Sequence, residues 1–564
     1  MTRLDAALRE RFPGMPGFRP GQREAIEAVI EGRDVLAVLP TGGGKTLVYQ
    51  LSGAELGGTT VVATPLIALM QDQVRRLEGD AEAVAALTGS VRGQAREELL
   101  ERLARGEIDF CFATPEQLAR DDTRAALSRA TVSLFAVDEA HCISEWGFDF
   151  RPAYRELADV IEEMGRPPVL ALTATAPEAV RRDITGELKL VSPTVVARGF
   201  DRPNLHFGVV HVTDAERRDR QLAAVLESAE TPAIVYCTTR REAEDTARAL
   251  FELEVGSGDR QLAAGAYHGG MERELRHEVQ KAFLYGDLEV LCATSAFGMG
   301  IDHPDIRTIV HRTMPDSLEA YWQEVGRAGR DGLPTDCILL FRPEDRAVHE
   351  HLHRRSRPSE ASVARMVHLA SRVVGPRPHT EVVAELAATA RVARSGVASL
   401  LEDLERFGYV ERSDREVHWQ GAASAAMEDL AAHHATQVRV DSSRLQMMAA
   451  YAEYGGCRRR FLLDYLGDEY PADLCLRCDA CLRAASTRGP DDWDLDAQEA
   501  RMSDARSGPF SKGDAVRHPS WGEGVIQRVN GDVLVVRFDE VGYRSMHAPT
   551  VLERGLLASA ATPA

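Results

Sequence analysis

The sequence has little lysine, few aromatic side chains and no long apolar run. Four of its 67 basic residues are lysine, namely Lys45, Lys189, Lys281 and Lys512, and the rest are arginine. Aromatic residues make up 6% of the 564 positions. No continuous apolar stretch reaches the roughly 18 residues that a spanning helix needs, and the first thirty residues contain no apolar signal region. These absences predict a cytoplasmic protein that makes no membrane contact.

The remaining composition is typical of a globular chain with several domains. Hydrophobic residues account for 44% and charged residues for 27% of the sequence. At about 150 residues per domain, the length predicts roughly four domains. The formal net charge is −20, which opposes non-specific binding to nucleic acid. Any polyanion must therefore be held by a local basic channel.

The nine cysteines divide into two groups. An odd number without an export signal argues against a disulfide framework. Five thiols in or beside apolar runs are expected to be packed core residues: Cys111, Cys142, Cys237, Cys292 and Cys337. The other four have the spacing x17, x2, x2 and provide enough thiolates for one closed tetrahedral structural zinc site: Cys457, Cys475, Cys478 and Cys481.

Between residues 33 and 341, short apolar runs alternate with helical segments. The runs are Val35–Leu39, Val61–Thr64, Val132–Val137, Val169–Thr173, Ala233–Cys237, Glu289–Ala293, Thr308–His311 and Cys337–Phe341. Unalternating runs separated by helices predict parallel strands covered on both faces, hence an α/β architecture. The rhythm breaks at 198–204 and then restarts, which predicts two lobes, over 1–200 and 201–345, with a cleft between them.

Beyond residue 358 the pattern changes. Residues 359–422 show a helical apolar stripe that ends at Gly408, followed by a small predicted hairpin with a Ser413-Asp414 turn. This indicates a winged-helix-like module, although a helical packing domain that binds no ligand also fits. The cysteines place a zinc-binding subdomain at 430–483, and the polar, acidic stretch 484–507 is expected to be a linker. Alternating strands and an Asn530-Gly531 turn predict a small SH3-like barrel over 508–556.

A glycine-rich turn follows the first predicted strand and precedes a helix. Backbone N–H groups and the helix N-terminus then converge where phosphate oxygens would lie. Lys45 is expected to bind the β- and γ-phosphates, and Thr46 to ligate Mg²⁺. Leu39 stands where the strict phosphate-loop pattern has its first glycine. The candidate ATP-binding residues of this turn are Thr41, Gly42, Gly43, Gly44, Lys45 and Thr46.

Two carboxylates follow the strand Val132–Val137 at its carboxyl end, the end at which open α/β sheets bind ligands. Asp138 suits a magnesium ion and Glu139 suits the attacking water. The second lobe carries two arginines in the run 323–330, and their spacing predicts one face of a helix. If Arg330 reaches the γ-phosphate, with Arg327 beside it, hydrolysis would require the lobes to close.

These residues resemble the motifs of the RecQ DNA helicases, over about 12–345 and again over about 440–483. The resemblance rests on eight segments in family order, at 18–22, 40–46, 64–73, 138–141, 172–176, 267–271, 296–302 and 323–330. It implies two RecA-like lobes. It also implies that Arg19 and Gln22 recognise adenine and that Thr173 and Thr175 link hydrolysis to DNA movement.

A run of alternating aromatic residues follows the acid pair. Exposed aromatics can stack on bases of any sequence for about 1–3 kcal/mol each. The run resembles the family's aromatic-rich loop, which couples DNA contact to ATP hydrolysis. Taken alone, the same aromatics would more often be core residues. The candidate DNA contacts are Trp146, Phe148, Phe150 and Arg151.

The resemblance implies a DNA-stimulated ATPase with ATP, Mg²⁺ and one structural zinc. It would translocate 3′→5′ on single-stranded DNA and unwind duplexes in repair or recombination, associated with the nucleoid. The order of domains departs from the bacterial pattern, because the winged-helix-like segment precedes the cysteines. The strand-separating pin therefore cannot be carried over. The tail resembles Tudor-like barrels, which suggests a protein partner. Two alternatives stay open: a DNA-binding or partner-recruiting protein that uses ATP as a switch, and an RNA helicase.

Overall fold

The structure is a computed structural model of the 564-residue chain. It describes residues 3–15, 17–40, 43–65, 70, 74, 77, 84–89, 91–144, 152–176, 178–197, 200–252, 254–255, 260–297, 306–356, 359–372, 377–390, 394–412, 416–466, 468, 470, 472, 474–486, 510–519, 521–530, 533–539, 542–547, 551 and 556–559.

A parallel seven-stranded sheet forms the first lobe. Its strands are β1 (Val35–Val38), β2 (Thr59–Ala63), β3 (Val84–Leu87), β4 (Phe110–Ala113), β5 (Val132–Val137), β6 (Val169–Thr173) and β7 (Thr194–Ala197). They lie in the order β3-β4-β2-β5-β6-β1-β7. Every residue of β1, β2, β4 and β6 is buried. Burial on both faces explains why these strands are apolar without alternation.

A second parallel sheet forms the second lobe. Its strands are β8 (Leu205–His211), β9 (Ala233–Tyr236), β12 (Ala264–Tyr267), β13 (Val290–Ala293), β14 (Thr308–His311) and β15 (Thr335–Phe341), in the order β12-β13-β9-β14-β15-β8. A short antiparallel pair, β10 (Glu254–Val255) and β11 (Arg260–Gln261), lies outside this sheet. The first sheet ends at Ala197 and the second begins at Leu205, so the interval between the lobes contains the predicted break.

Helices connect the strands of both lobes. In the first lobe they are α1 (Arg3–Arg11), α2 (Gln22–Ile30), α3 (Lys45–Leu56), α4 (Gln94–Ala104), α5 (Pro115–Leu118), α6 (Asp121–Leu127), α7 (Leu157–Glu163) and α8 (Glu178–Glu187). Single 3₁₀ turns occupy Ala140–Ile143 and Pro152–Tyr154. In the second lobe they are α9 (Ala215–Ser228), α10 (Arg240–Glu252), α11 (Arg273–Tyr285) and α12 (Leu318–Val325).

The chain divides into two compact units. Residues 1–342 and 454–488 form the first, and residues 343–453 and 489–564 form the second. The zinc-binding region of the first unit contains α18 (Arg458–Leu466) and α19 (Asp479–Ser486). Both helices lie against β8 of the second lobe. The chain thus leaves the first unit after the second lobe and returns to it at the cysteines.

The second unit has two hydrophobic cores. The part that holds the first core contains α13 (Asp345–Ser356), α14 (Glu360–Ala370), β16 (Arg377–Pro378), α15 (His379–Ala390), α16 (Arg394–Arg406), β17 (Val410–Arg412), β18 (Glu416–Trp419) and α17 (Ala423–Glu453). All of these elements except α13 and β16 contribute buried residues to that core. Of the predicted stripe, Val397, Leu400, Leu401 and Leu404 on α16 are buried as expected. Phe407, its fifth predicted member, lies just past the helix end and packs against the same core while only partly buried. Gly408 has φ +75, and Tyr409 donates back to the Leu404 carbonyl, which ends the helix as expected. β17 and β18 pair as the predicted hairpin.

The other core of this unit is sheet-based. It contains β19 (Ala515–His518), β20 (Gly522–Asn530), β21 (Val533–Phe538), β22 (Gly542–His547) and β23 (Ala558–Ser559). The strands form an antiparallel sheet in the order β22-β21-β20-β19-β23. β20 and β21 pair with Asn530 opposite Val533, as the predicted hairpin requires. Within the described residues β22 and β23 do not pair, so the sheet is open at these strands. The structure therefore shows the sheet of the predicted barrel but not its closure.

All eight predicted strands are present, with ends shifted by two residues at most. The strands missing from that set include β3, β7 and β12, which lie at the edges of their sheets. The sequence of β12, Ala-Gly-Ala-Tyr, carries little β propensity, and its pairing with β13 supplies the stability that the residues lack. The five predicted core thiols are all buried.

The predicted linker 484–507 needs a correction at its start. Residues 484–486 complete α19, because the helix that carries Cys481 continues past the metal ligand. Residues 487–507 lie outside the described part of the chain. Among the described residues, no helix has the length and hydrophobicity required to cross a membrane.

Candidate nucleotide site and metal centre

The phosphate loop lies at the carboxyl end of β1 and leads into α3. Lys45 is the first residue of that helix, and Gly44 precedes it with φ +76. A Cβ on Gly43 would lie 2.8 Å from the Pro40 carbonyl oxygen, so the turn admits only glycine there. A tight turn at a helix N-terminus presents N–H groups to an anion. The local backbone therefore fits a phosphate cradle.

Gln22 joins the predicted adenine segment to this loop. Its side chain is almost fully buried. The amide nitrogen donates to the carbonyl oxygens of Gly43 and Gly44 at 3.0 and 3.1 Å, and the amide oxygen accepts from the backbone of Arg19 at 2.7 Å. Gln22 thus links Arg19 to the phosphate loop, and their predicted role in adenine recognition stays a prediction.

The acid pair lies at the carboxyl end of β5, two strands from β1. Lys45 Nζ is 3.5 Å from a carboxylate oxygen of Glu139. Burial, together with the neighbouring charge of Glu139, raises the pKa of Asp138 to about 6. Burial also acts to raise the pKa of Glu139, but Lys45 and His141 outweigh it and the net direction is down. Glu139 therefore stays ionised to a lower pH than Asp138, which suits a group that orients water.

His141 connects the acid pair to the end of β6. Its Nδ1 lies 3.3 Å from Glu139 and 3.0 Å from the Thr173 hydroxyl. That hydroxyl in turn donates to the Thr175 carbonyl at 3.0 Å. Thr173 and Thr175, which the resemblance assigned to coupling, are thus tied to the acid pair through one histidine.

The sequence placed Arg327 and Arg330 on one helical face, and that prediction is wrong. α12 ends at Val325, and both arginines lie in the non-helical segment 326–330 that follows it, which we call the arginine turn. Gly329 adopts φ +53, a left-handed conformation that is incompatible with a helix running through to Arg330. Arg327 is buried and hydrogen-bonds with the Tyr236 hydroxyl. The tertiary surroundings, rather than helical periodicity, set the positions of the two guanidinium groups.

Arginines of both lobes influence the charge of Arg202. Burial lowers the pKa of the Arg202 guanidinium, and the nearby charges of Arg330 and Arg19 lower it further. Arg19 belongs to the first lobe and Arg330 to the second, so cations from both lobes lie within electrostatic range of Arg202. Clustered guanidinium groups repel one another, and a polyanion such as a triphosphate would relieve that repulsion.

The four cysteines form a compact cluster around one centre. Their sulfur atoms all lie within 4.8 Å of one another, and Sγ of Cys475 and Cys481 are 3.9 Å apart. A tetrahedron with Zn–S bonds of about 2.3 Å has sulfur–sulfur edges of about 3.8 Å. Backbone N–H groups of Arg458 and Cys478 also point at sulfur atoms, at 3.4 and 3.3 Å. The donor set and the spacing fit one Zn²⁺.

Several predicted site residues lie outside the described part of the chain. These are Thr41, Gly42, Trp146, Phe148, Phe150 and Arg151. The motif segments 66–69, 71–73 and 298–302, with the turn residues Ser413, Asp414 and Gly531, lie outside it as well.

Sequence reasoning missed two residues that the fold brings to the site. Tyr154 is fully buried, and its hydroxyl donates to the Asp138 carbonyl oxygen at 2.9 Å. Arg202 contacts the arginine turn 124 residues or more along the chain. Neither belongs to a pattern of spacing, so only the folded chain brings them to the site.

Comparison with known families assigns three segments. Residues 19–183 match the DEAD/DEAH box helicase family, residues 215–332 the helicase conserved C-terminal domain, and residues 420–482 the RecQ zinc-binding domain. The first two matches cover the lobes that carry the nucleotide site, and the third covers the four cysteines.

Similar proteins extend this assignment. The chain is 34% identical over 477 residues to the probable ATP-dependent DNA helicase RecS of Bacillus subtilis, covering 84% of this chain and 90% of that protein. The chain belongs to the RecQ family of ATP-dependent DNA helicases. It is also 41% identical over 357 residues to RecQ of the same organism, covering 63% of this chain and 59% of that RecQ.

The two matches differ in reach. A single alignment that covers 84% of the chain must run through its middle, so the RecS match spans residues 359–422. A RecQ match of 63% does not need that segment. Among solved structures, the DUF1998 helicase MrfA bound to DNA and AMPPNP is similar with a TM-score of 0.51 and 20% identity, over 75% of this chain and 62% of that one. That likeness is one of fold.

Proposed function

We propose that this RecQ-family protein is an ATP-driven motor that translocates 3′→5′ on single-stranded DNA and unwinds duplexes in DNA repair or recombination. The observation that carries the proposal is the convergence of phosphate loop and acid pair, with Lys45 3.5 Å from Glu139 at the carboxyl ends of β1 and β5. Carboxyl ends of parallel strands are where open α/β sheets bind nucleotides.

Each described site residue has a role in this motor. Lys45 binds the β- and γ-phosphates, Thr46 and Asp138 hold Mg²⁺, and Glu139 orients the attacking water. Arg19 and Gln22 recognise adenine. Arg327 and Arg330 stabilise the charge that develops on the transferred phosphate when the lobes close. The ATP-binding set is completed by Thr41, Gly42, Gly43 and Gly44.

DNA contact belongs to the segment after the acid pair. Trp146, Phe148 and Phe150 would stack on bases and Arg151 would bind the backbone. His141, Thr173 and Thr175 couple DNA contact to the position of the acid pair. The 3.0 Å contact between His141 and Thr173 supports this role.

The second unit supplies two further modules. We assign residues 359–422 as winged-helix-like, supported by three helices and the antiparallel strands β16, β18 and β17. We assign residues 508–556 as an SH3-like barrel that contacts a protein partner. The small core of that sheet, with Val516, Ile526 and Leu534 fully buried, supports a module with a core of its own.

The scarcity of lysine allows a matched test of the nucleotide site. Lys45→Ala is expected to abolish DNA-stimulated ATP hydrolysis, because the site loses the positive charge that binds the phosphates. Lys189→Ala removes the same charge from an exposed pair with Asp159 and should leave hydrolysis unchanged. Hydrolysis is measured with and without single-stranded DNA, beside unwinding of duplexes with a 3′ or a 5′ overhang.

Two results would contradict the proposal. Retained hydrolysis in Lys45→Ala would remove the phosphate-loop assignment. Unwinding from a 5′ overhang alone would reverse the polarity. Hydrolysis that DNA stimulates without any unwinding would instead favour the nucleotide-switch alternative.

A further inference from the structure

The segment Asp201–Leu205 lies between the arginine turn and the zinc-binding region. It connects the first sheet to β8 and contacts both sites through named hydrogen bonds. The arginine turn follows α12, whereas the first of the four cysteines, Cys457, lies about 130 residues later in the chain. A short segment that touches both can transmit the position of one to the other.

On the side of the nucleotide site, the segment donates hydrogen bonds to the backbone of the arginine turn. Arg202 donates to the carbonyl oxygens of Gly326, Ala328 and Gly329 at 3.2, 2.8 and 2.8 Å. Asn204 donates from Nδ2 to the Gly329 carbonyl at 2.9 Å. These bonds to the carbonyl oxygens fix the shape of the turn that presents Arg327 and Arg330.

On its other side, the segment accepts hydrogen bonds from arginines of the zinc-binding region. Arg459, two residues after Cys457, is almost fully buried and pairs with the Asp201 carboxylate. Its guanidinium also donates to the carbonyl oxygens of Pro203 and Leu205 at 3.3 and 2.7 Å. Arg477, which lies between Cys475 and Cys478, donates to the Pro203 carbonyl at 2.8 Å.

A second contact reinforces the same connection. Tyr465 of α18 donates its hydroxyl to Glu319 at the start of α12, the helix that leads into the arginine turn. Glu324, near the end of α12, lies 2.9 Å from buried His311 on β14. The helix and the turn after it are therefore held from the zinc-binding region and from the sheet.

We propose that Arg202 and Arg459 are positioning residues that fix the arginine turn relative to the zinc-binding region. Through these contacts the zinc-binding region affects the rate of ATP hydrolysis. The proposal rests on the proposed function, because it acts through Arg330. Neither residue needs to touch the nucleotide. Displacement of a catalytic group by about 1 Å can cost about 100-fold in rate.

The test compares Arg202→Gln and Arg202→Lys with the wild-type full chain. Gln lacks the fork that reaches three carbonyls, and Lys keeps the charge but not the fork. Both variants are expected to lower the DNA-stimulated kcat by about 10- to 100-fold, with KM for ATP changed less than threefold. Zinc content and affinity for single-stranded DNA should be unchanged.

Arg96→Gln is the matched control. Arg96 is a buried arginine, whereas Arg202 is half-buried, and it likewise makes several hydrogen bonds, to Asp122, Gln117 and Thr123. It lies on α4 and has no bond to the arginine turn among those three. This variant should lower the thermal midpoint without lowering kcat per folded molecule. If Arg202→Gln behaves in the same way, its role is only structural and the proposal fails.

Two further variants test whether Arg202 acts through Arg330 and whether the zinc-binding region takes part. In an Arg330→Ala background, Arg202→Gln should add little further loss, because both act on one group. Additive losses would overturn the proposal. Arg459→Lys should retain zinc yet lower kcat; an unchanged kcat would remove the zinc-binding region from the connection. Failure of the motor itself would appear separately, as hydrolysis in Lys45→Ala equal to wild type.

Discussion

A tyrosine hydroxyl holds the backbone of the acid motif. Tyr154 lies in the 3₁₀ turn that follows the aromatic segment, and it donates to the carbonyl oxygen of Asp138 at 2.9 Å. At the other end of that segment, buried Ser144 donates to Asp183 of α8. Both flanks of the proposed DNA contact are thus hydrogen-bonded to the nucleotide lobe, one of them directly at the proposed magnesium ligand.

Tyr154→Phe tests this contact at the scale of one atom. The loss of one buried hydrogen bond is expected to cost about 1 kcal/mol of stability. If the bond also positions Asp138, the DNA-stimulated rate should fall about fivefold, the equivalent of a similar free energy in the transition state. Urea denaturation and ATPase assays measure the two effects.

Tyr409→Phe is the matched control, because its hydroxyl donates to Asp429 in the second unit. We expect no change in the hydrolysis rate of that variant. Equal rates for wild type and Tyr154→Phe would limit Tyr154 to a packing role.

At the scale of elements, the turn after α12 depends on one glycine. Gly329 has φ +53, and a Cβ there would lie 2.4 Å from Asn204 Nδ2 and 2.5 Å from Thr335 Oγ1. The left-handed conformation alone costs a residue with a Cβ about 1–2 kcal/mol. In addition, the close approach of an added Cβ to Asn204 and Thr335 would displace the turn.

Gly329→Ala is therefore expected to destabilise the chain by about 2 kcal/mol or more and to lower kcat. Gly332→Ala separates strain from displacement, because Gly332 has φ +85 but open space around its Cβ position. Gly332→Ala should lose about 1–2 kcal/mol with kcat intact. Denaturation curves and steady-state hydrolysis report the difference. Identical kcat values for the two variants would contradict the assigned role of the turn.

At the scale of the whole molecule, the zinc-binding region belongs to the same compact unit as the lobes, although residues of the second unit separate them in the sequence. Buried Arg458 pairs with Asp479, and Asp479 accepts from the Val209 backbone on β8. The four cysteines thus hold α18 and α19 together, and the bonds of Asp479 hold this pair of helices against the edge of the second sheet.

Zinc removal is expected to disrupt the first unit selectively. Ligation in structural sites contributes about 10–16 kcal/mol, so a chelator should unfold α18 and α19. Amide exchange should then rise in residues 454–486 and along 201–209, and stay unchanged in α16 of the second unit. Hydrogen exchange of the full chain with chelator, and again after zinc is restored, measures this. Uniform exchange in both states would contradict the assignment.

Much of the site follows from local sequence. A phosphate loop, an acid pair after an apolar strand and a closely spaced cysteine set each depend on residues a few positions apart, so spacing alone predicts their chemistry. The arginine turn did not follow, because α12 ends at Val325 and Gly329, whose carbonyl accepts from Asn204, adopts a left-handed conformation that helical periodicity does not predict. The edge strand β12 depends on pairing more than on propensity, because its sequence is Ala-Gly-Ala-Tyr.

The sequence by itself determined the two α/β lobes, the nucleotide chemistry and the four metal ligands, because backbone conformation and ligand chemistry there are set by neighbouring residues. Only the tertiary structure decided that Tyr154 bonds to Asp138, that Arg202 grips the arginine turn and that Arg459 grips the segment before β8. These contacts join residues far apart in the chain. Their free energy comes from burial and hydrogen-bond partners that exist only after the sheets have formed.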